Sequence, residues 1–134
     1  MAIPRWNIVR RADPDDTALF DQELEEDPLI LFHATPASNL LSIEANGFRS
    51  AADLGIVDGL NSVSYSKSST YWNLVTEYPA KADFVMFAVR FNTLNQVGIR
   101  VNPSDVHVDN WREIRPQILG YCEIPCGYCH PQTR

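Results

Sequence analysis

Apolar residues fall along this chain in two kinds of run. The continuous kind, of strand length, is clearest at "FVMFAVRF" (84–91) and "LILFH" (29–33), and predicts strands covered on both sides. Shorter runs at "SVSYS" (62–66), "VGIRV" (97–101), "DVHV" (105–108) and "PQILGYCEI" (116–124) predict further strands, with Val63 and Tyr65 on one face of theirs. "PRWNIVRR" (4–11) reads as a short strand or extended arm.

The second kind of run is spaced for helices. In "DPDDTALFDQELEED" (13–27), Asp13 or Asp15 can cap a helix whose sparse apolar stripe is Leu19, Phe20 and Leu24, and Pro28 ends it. In "TPASNLLSIEANGF" (35–48), Thr35 and Pro36 make an N-cap and first-turn pair. Leu40, Leu41 and Ile43 supply the inward stripe there, Gly47 the left-handed terminator, and Phe48 packs back. A third helix is expected over "KSSTYWNLVTEY" (67–78), capped by Ser68 or Ser69 with Trp72 and Val75 inward. Helices followed by a strand-rich second half predict an α+β fold with a mixed, largely antiparallel sheet.

Composition narrows the picture. With 134 residues, 45% of them hydrophobic and 21% charged, the chain suits one globular domain with a single core. Residues 1–28 are expected to form an acidic arm or helix belonging to the same domain as 29–134. No apolar run is long enough to span a bilayer, and "MAIPRWNIVRR" lacks the apolar region of a signal peptide, so a cytoplasmic protein without a membrane partner is expected. The net charge of -6 counts against nucleic acid as a partner, because phosphate binding needs cationic surface. Its distribution softens that objection. Residues 1–28 hold three Arg against eight Asp and Glu, whereas the rest of the chain holds eight Lys and Arg against nine Asp and Glu.

Cys122, Cys126, Cys129 and His130 crowd into the end of the chain and offer four zinc-type ligands. Their spacing is not that of a zinc knuckle, and an odd cysteine count argues against a disulfide framework, so reduced, partly buried thiols are the preferred reading.

His33 ends an apolar strand directly before a capped helix, and helix N-termini attract phosphate or carboxylate. There it can bond a ribose hydroxyl while the helix end faces a pyrophosphate. The alternative is a core histidine satisfied by a backbone carbonyl.

The order of the pieces adds to this. "LFHATPASNLLSIEANGF", "VSYSKSSTYW", "FVMFAVRF" and "RPQILGYCEIP" together resemble the ADP-ribosyltransferase superfamily over roughly residues 29–125. The first motif of that family is a strand-borne histidine before a helix patterned here as Asn39, Leu40, Ile43, Gly47 and Phe48. The layout of Gln117, Ile118, Leu119, Ile124 and Pro125 resembles most the DarT type, which modifies DNA bases. The resemblance implies a split sheet holding NAD in a cleft, with flanking helices and His33 on the adenosine-side ribose.

It further implies an aromatic stacked on nicotinamide, followed by a small hydroxyl residue. If Ser66 is that hydroxyl, Ser64 holds the stacking position and Tyr65 points to the other face; if Tyr65 stacks, the strand must shift or bulge. Tyr71 or Trp72 can compensate. The implied cofactor-binding set is His33, Thr35, Asn39, Ser64, Tyr65, Ser66, Lys67 and Tyr71, and the implied catalytic pair is His33 and Gln117.

Where the family most often has glutamate, this chain has Gln117, which can orient a ribose but supplies neither the negative charge that stabilises an oxocarbenium-like transition state nor a general base. Glu113 is the better substitute and Glu123 the poorer, unless the strand bends at Gly120. Lys67, Arg49, Arg112 and Arg115 can neutralise phosphates or serve as solvated surface charge. Two functions follow: NAD-dependent transfer of ADP-ribose to a DNA base or protein side chain, or a module of the same fold, weak or inactive in catalysis, that binds NAD, ADP-ribose, nucleic acid or a protein partner.

Overall fold

The computed structural model describes residues 3–9, 18–48, 62–71, 83–109 and 114–126. Six strands form one sheet: β1 (Ile30–Pro36), β2 (Ser62–Ser66), β3 (Phe84–Arg90), β4 (Ile99–Val101), β5 (Asp105–Asp109) and β6 (Gln117–Ile124). They lie in the order β4-β5-β2-β1-β3-β6, and every pair of neighbours is antiparallel. With two short helices, α1 (Gln22–Glu26) and α2 (Leu40–Asn46), the class is α+β as expected. The sheet is antiparallel rather than mixed; among the described residues the one parallel pairing is an isolated bridge between Arg5 and Tyr121.

The six strands form where the apolar runs and alternations predict them, while residues 4–9 take the extended-arm alternative with one bridge at Arg5. β3 is buried from Phe84 to Val89. Its even-numbered residues Phe84, Met86 and Ala88 join Ile30, Phe32, Cys122 and Ile124 on one face, where Leu19 and Phe20 cover them. Its odd-numbered residues Val85, Phe87 and Val89 join Leu31, Tyr65, Val106, Val108 and Tyr121 on the other, under Ile43.

Residues 18–20 are therefore core and not the first turns of an acidic helix, with Leu19 0% exposed. The helix expected over 13–27 is corrected at its start: α1 begins only at Gln22, with Asp21 at its N-cap, and ends at Glu26, before Pro28. The main-chain groups of Leu19 and Phe20 are held outside any helical ladder: Leu19 N–H donates to Ser69 Oγ, Phe20 N–H to Glu25, and Leu19 O accepts from Val9 N–H. Asp13 and Asp15 lie outside the described residues. The first residues run alongside β6, where Trp6 N–H donates to Tyr121 O at 2.8 Å and Tyr121 N–H to Pro4 O at 3.0 Å.

A carboxylate secures this segment. Glu25 accepts from Phe20 N–H at 3.0 Å and from the Ser69 hydroxyl at 2.5 Å, while Ser69 Oγ accepts from Leu19 N–H at 2.9 Å. Ser69 is fully buried in the short 3-10 turn Ser69–Tyr71 that follows β2. Ser69→Ala leaves the buried Leu19 N–H without its acceptor and should lower stability by about 1–3 kcal/mol. Denaturant titration checks this, with an unchanged midpoint as the contrary result.

Two further expectations are corrected. Thr35 is not an N-cap: β1 runs on through Pro36, pairing Thr35 with Val85 and Pro36 with Phe84, and the chain then turns through a 3-10 segment, Ala37–Asn39, before α2. The buried Thr35 hydroxyl instead accepts from Asn39 Nδ2 at 2.9 Å. Leu41 does not face inward but is 79% exposed, leaving Ile43 as the buried residue of α2. Gly47 does terminate α2, at φ 72, with its N–H on Ile43 O at 2.8 Å. The helix expected after β2 is seen only as the turn Ser69–Tyr71; Trp72 and Val75 lie outside the described residues. Among the described residues no helix is long and apolar enough to cross a membrane.

Candidate functional site

Alternation along β1 sends Leu31, His33 and Thr35 to the face that carries Phe87 and Tyr65. His33 pairs with Phe87 in the middle of the sheet. On its other side the pairing is sparse. β1 and β2 share a single register pair, Phe32 with Ser66, whereas β1 and β3 share seven.

Where the main-chain ladder ends, side chains take over. His33 Nδ1 lies 2.7 Å from Ser64 O, and Ser66 Oγ shares its proton between Ser68 O at 3.0 Å and Phe32 O at 3.3 Å. A carbonyl only accepts, so Nδ1 carries the proton, and in the neutral ring Nε2 is left as an acceptor. Desolvation lowers the His33 pKa from 6.5, partly opposed by the bond to Ser64 O, which favours that neutral form. Among the described residues Nε2 has no hydrogen-bond partner.

Aromatic rings frame the imidazole. Phe48 stands edge-on at 4.8 Å between centroids and Tyr65 tilts against it at 5.6 Å. Phe48 in turn meets Tyr65 at 5.6 Å and Phe87 at 5.4 Å. The positive φ of Gly47 turns the chain so that Phe48 reaches this cluster. Tyr65 is buried, its phenol pushed above its ordinary pKa by desolvation. Its hydroxyl also has no partner among the described residues, an unusual state for a buried polar atom. Among the described residues the site thus offers one unpaired acceptor and one unpaired hydroxyl among aromatic rings, chemistry suited to a ligand that is both ring-bearing and hydroxylated.

The other predicted residues divide. Tyr65 lies with His33, while Ser64 and Ser66 alternate to the opposite face; Ser64 contributes its carbonyl, and Ser66 is buried with its hydroxyl spent on the chain. Thr35 and Asn39 bond each other at the end of β1. Lys67 is exposed beyond β2 and contributes to the field at Asp105. Tyr71 closes the 3-10 turn. The proposed helix-end phosphate site is corrected: α2 has seven residues, follows a 3-10 turn, and has no capping side chain.

Gln117 does not join His33. β6 pairs Ile118 with Val89 and Gly120 with Ala88, leaving Leu119 as an extra residue in a β-bulge. In an unbroken strand Gln117 would share a face with Tyr121 and so with His33. The bulge reverses it, so that Gln117 pairs with Arg90 on the face of Phe84, Met86 and Ala88, exposed at the start of the strand. Two strands across and three residues along, the two Cα atoms are roughly 14 Å apart, with side chains on opposite faces. Glu123 is no substitute either: it pairs with Val85 at the far end of β6 and binds Arg5 at 3.2 Å. Glu113, Arg49 and Arg112 lie outside the described residues. Arg115 donates to Asn46 O at 3.4 Å, at the end of α2.

The cysteines supply no visible centre. Cys122 is fully buried, its thiol pushed up to about 12 by desolvation and, secondarily, by the charge of Glu25. Cys126 is exposed, Cys129 and His130 lie outside the described residues, and among the described residues no three potential ligands cluster.

A concavity of about 350 Å³ lies apart from His33, lined by Arg5, Trp6, Phe20, Asp21 and Leu24 among others, and includes none of the predicted site residues. Two groups escaped the sequence reading. Phe48 belongs to the first sequence motif as the residue that packs back after the terminating glycine, and its contact with the imidazole is what the sequence does not show. The polar residues Ser62, Asp105 and His107 were read only as strand positions, although "SVSYS" and "DVHV" alternate strictly and so set them on one face. Comparison with known proteins finds no matching family model, no matching curated protein and no matching solved structure.

Proposed function

We propose that the chain is an ADP-ribosyltransferase-like binding module that holds a ribose-bearing nucleotide, NAD or ADP-ribose, beside His33, where β1 and β2 share one register pair. The observation that carries this reading is His33: half-buried, neutral, with Nδ1 committed to Ser64 O and Nε2 left to accept. A ribose hydroxyl is a donor for Nε2, and the edges of Phe48 and Tyr65 suit a planar ring beside it. The resemblance implies NAD in the cleft of a split sheet, and the sheet is most weakly joined beside this histidine.

The second reading, transfer of ADP-ribose from NAD to a DNA base or a protein side chain, rests on the resemblance. It needs a polar group against the ribose opposite His33, and Gln117 is turned away from that position. Binding without transfer is therefore preferred.

Calorimetric titration with NAD and with ADP-ribose tests the reading. His33→Ala should weaken binding at least about tenfold, the scale of one hydrogen bond to a buried acceptor. Gln117→Ala should leave it unchanged, and Gln117→Glu should release no nicotinamide. Protonation places a proton on Nε2 and removes the acceptor. Because the His33 pKa is lowered from 6.5, affinity should hold through neutral pH and fall only on acidification below that value. Nicotinamide release by the parent protein, lost in Gln117→Ala, would establish transfer instead. No heat released and no thermal stabilisation with either nucleotide would sink both readings.

A further inference from the structure

On the β2–β5 half of the sheet, the face opposite Tyr65 is polar. The register sets Ser62 against Asp109, Ser64 against His107 and Ser66 against Asp105, so Ser62, His107 and Asp105 share that face. Ser62 and His107 are diagonal neighbours, within side-chain reach across an antiparallel pair. Ser62 Oγ lies 3.3 Å from His107 Nδ1, and His107 Nε2 lies 3.3 Å from Asp105 Oδ2. An ionised carboxylate only accepts, so Nε2 carries the ring proton and Nδ1 is left to accept from the serine hydroxyl. Asp105 is held in the ionised form chiefly by the bond from Asn102 Nδ2 at 2.7 Å, with His107 and Lys67 adding to it.

These are the three parts of an activated hydroxyl nucleophile: a hydroxyl, a base within reach of its proton, and a carboxylate that fixes the tautomer and orientation of the base. Both contacts are at the long end of hydrogen bonding, as such contacts often are before a substrate arrives. Arg100, paired with His107 across β4 and bonded to Asp109 at 3.0 Å, sets a cation on the same face. Ser62 itself is 7% exposed, which restricts its partner to a small group.

The geometry points to a second, acyl-transfer site at Ser62, with His107 as general base and Asp105 as its orienting carboxylate, acting on esters of small acyl groups. Ser62 Oγ bonds to the acyl carbon while its proton passes to His107 Nδ1. The bond from that carbon to the leaving oxygen breaks, and the alcohol departs with that proton. A water then gives a proton to Nδ1 and bonds to the acyl carbon. The Ser62 ester bond breaks, the carboxylic acid leaves, and the proton returns to Oγ. None of these residues touches His33, so this site stands or falls independently of nucleotide binding.

The test uses the full chain and 4-nitrophenyl acetate. A burst of nitrophenolate comparable in amount to the protein is expected, with the acetyl group mapped to Ser62 by peptide mass spectrometry. His107→Gln should slow acylation by about a hundredfold or more, the scale of a general base. Asp105→Asn should slow it less, and Ser38→Ala, on the exposed surface, should not affect it. Ser62→Ala should abolish the burst; should that variant fail to fold, Ser62→Cys, retaining acylation as a thioester, keeps the decision. Acetylation mapped to Lys67 or elsewhere, a burst that survives in Ser62→Ala, or no acylation of the folded parent would each overturn the assignment.

Discussion

Phe32→Ala is expected to cost about 3–5 kcal/mol, the range for truncating a fully buried aromatic. Phe32 is 0% exposed, stacks on Phe20 at 5.3 Å between centroids, and lies in the cluster that the N-terminal segment covers. A domain of this size has about 5–15 kcal/mol in total, so the variant should sit close to its unfolding threshold. The position has a second importance. Phe32 and Ser66 are the one register pair joining the β4-β5-β2 half of the sheet to the β1-β3-β6 half. Loosening it should therefore reach the bond between His33 and Ser64, and nucleotide affinity measured on the surviving folded fraction should fall as well. Urea titration reads the first effect. A loss below about 1 kcal/mol would mean that the cavity collapses freely and that Phe32 is not the keystone of this face.

Gly120→Val should cost about 1.5–4.5 kcal/mol for the opposite reason, excess volume. A Cβ at Gly120 would stand 2.6 Å from Trp6 Cε2 and 2.7 Å from Cζ2, closer than carbon atoms can approach. The indole must leave, and with it goes an edge-on contact to Phe20 at 6.0 Å between centroids. Overpacking contributes about 1–3 kcal/mol and the lost aromatic pair about 0.5–1.5 kcal/mol. Two observations should accompany the loss: a red shift of Trp fluorescence, and faster proteolysis within residues 3–9, which are held to β6 through Tyr121. Normal stability with unshifted fluorescence would show that the indole can be seated elsewhere at little cost. Trp6→Ala in the Gly120→Val background should add little further loss, since the two changes act on one contact.

The strands were legible because their signal is one of period: "FVMFAVRF" is apolar at every position, and a strand in the middle of a sheet is buried on both faces. Gly47 was legible because a positive φ at a helix end selects glycine almost by itself. What failed did so where tertiary packing outweighs local preference. Thr35 and Pro36 satisfy the rules for a helix start, yet a proline is tolerated where one side of a strand has no partner, as at Pro36, where pairing runs to Phe84 and not to β2. Leu19, Phe20 and Leu24 carry helical spacing, but the first two lie outside α1 as cover for the sheet, their N–H groups held by Ser69 and Glu25.

At the candidate site, the sequence placed His33 and Tyr65 on two strands, which the fold makes neighbours, and raised a backbone carbonyl as the satisfying partner of the imidazole, which Ser64 O is. It did not locate Ser62, His107 and Asp105 as a group. Their meeting depends on β2 pairing with β5 across a long stretch of intervening chain, which no local pattern encodes.

The surplus residue at Leu119 has a bearing on descent as well as on shape. Substituting amino acids around it alters what each side of the last strand displays but not which residues are displayed there. Losing one codon would do what no substitution can, exchanging the outlook of the first half of that strand in one event. Chains otherwise akin to this one, with and without that codon, would thus differ in whether their carboxamide and imidazole ever share a ligand, however similar they look position by position.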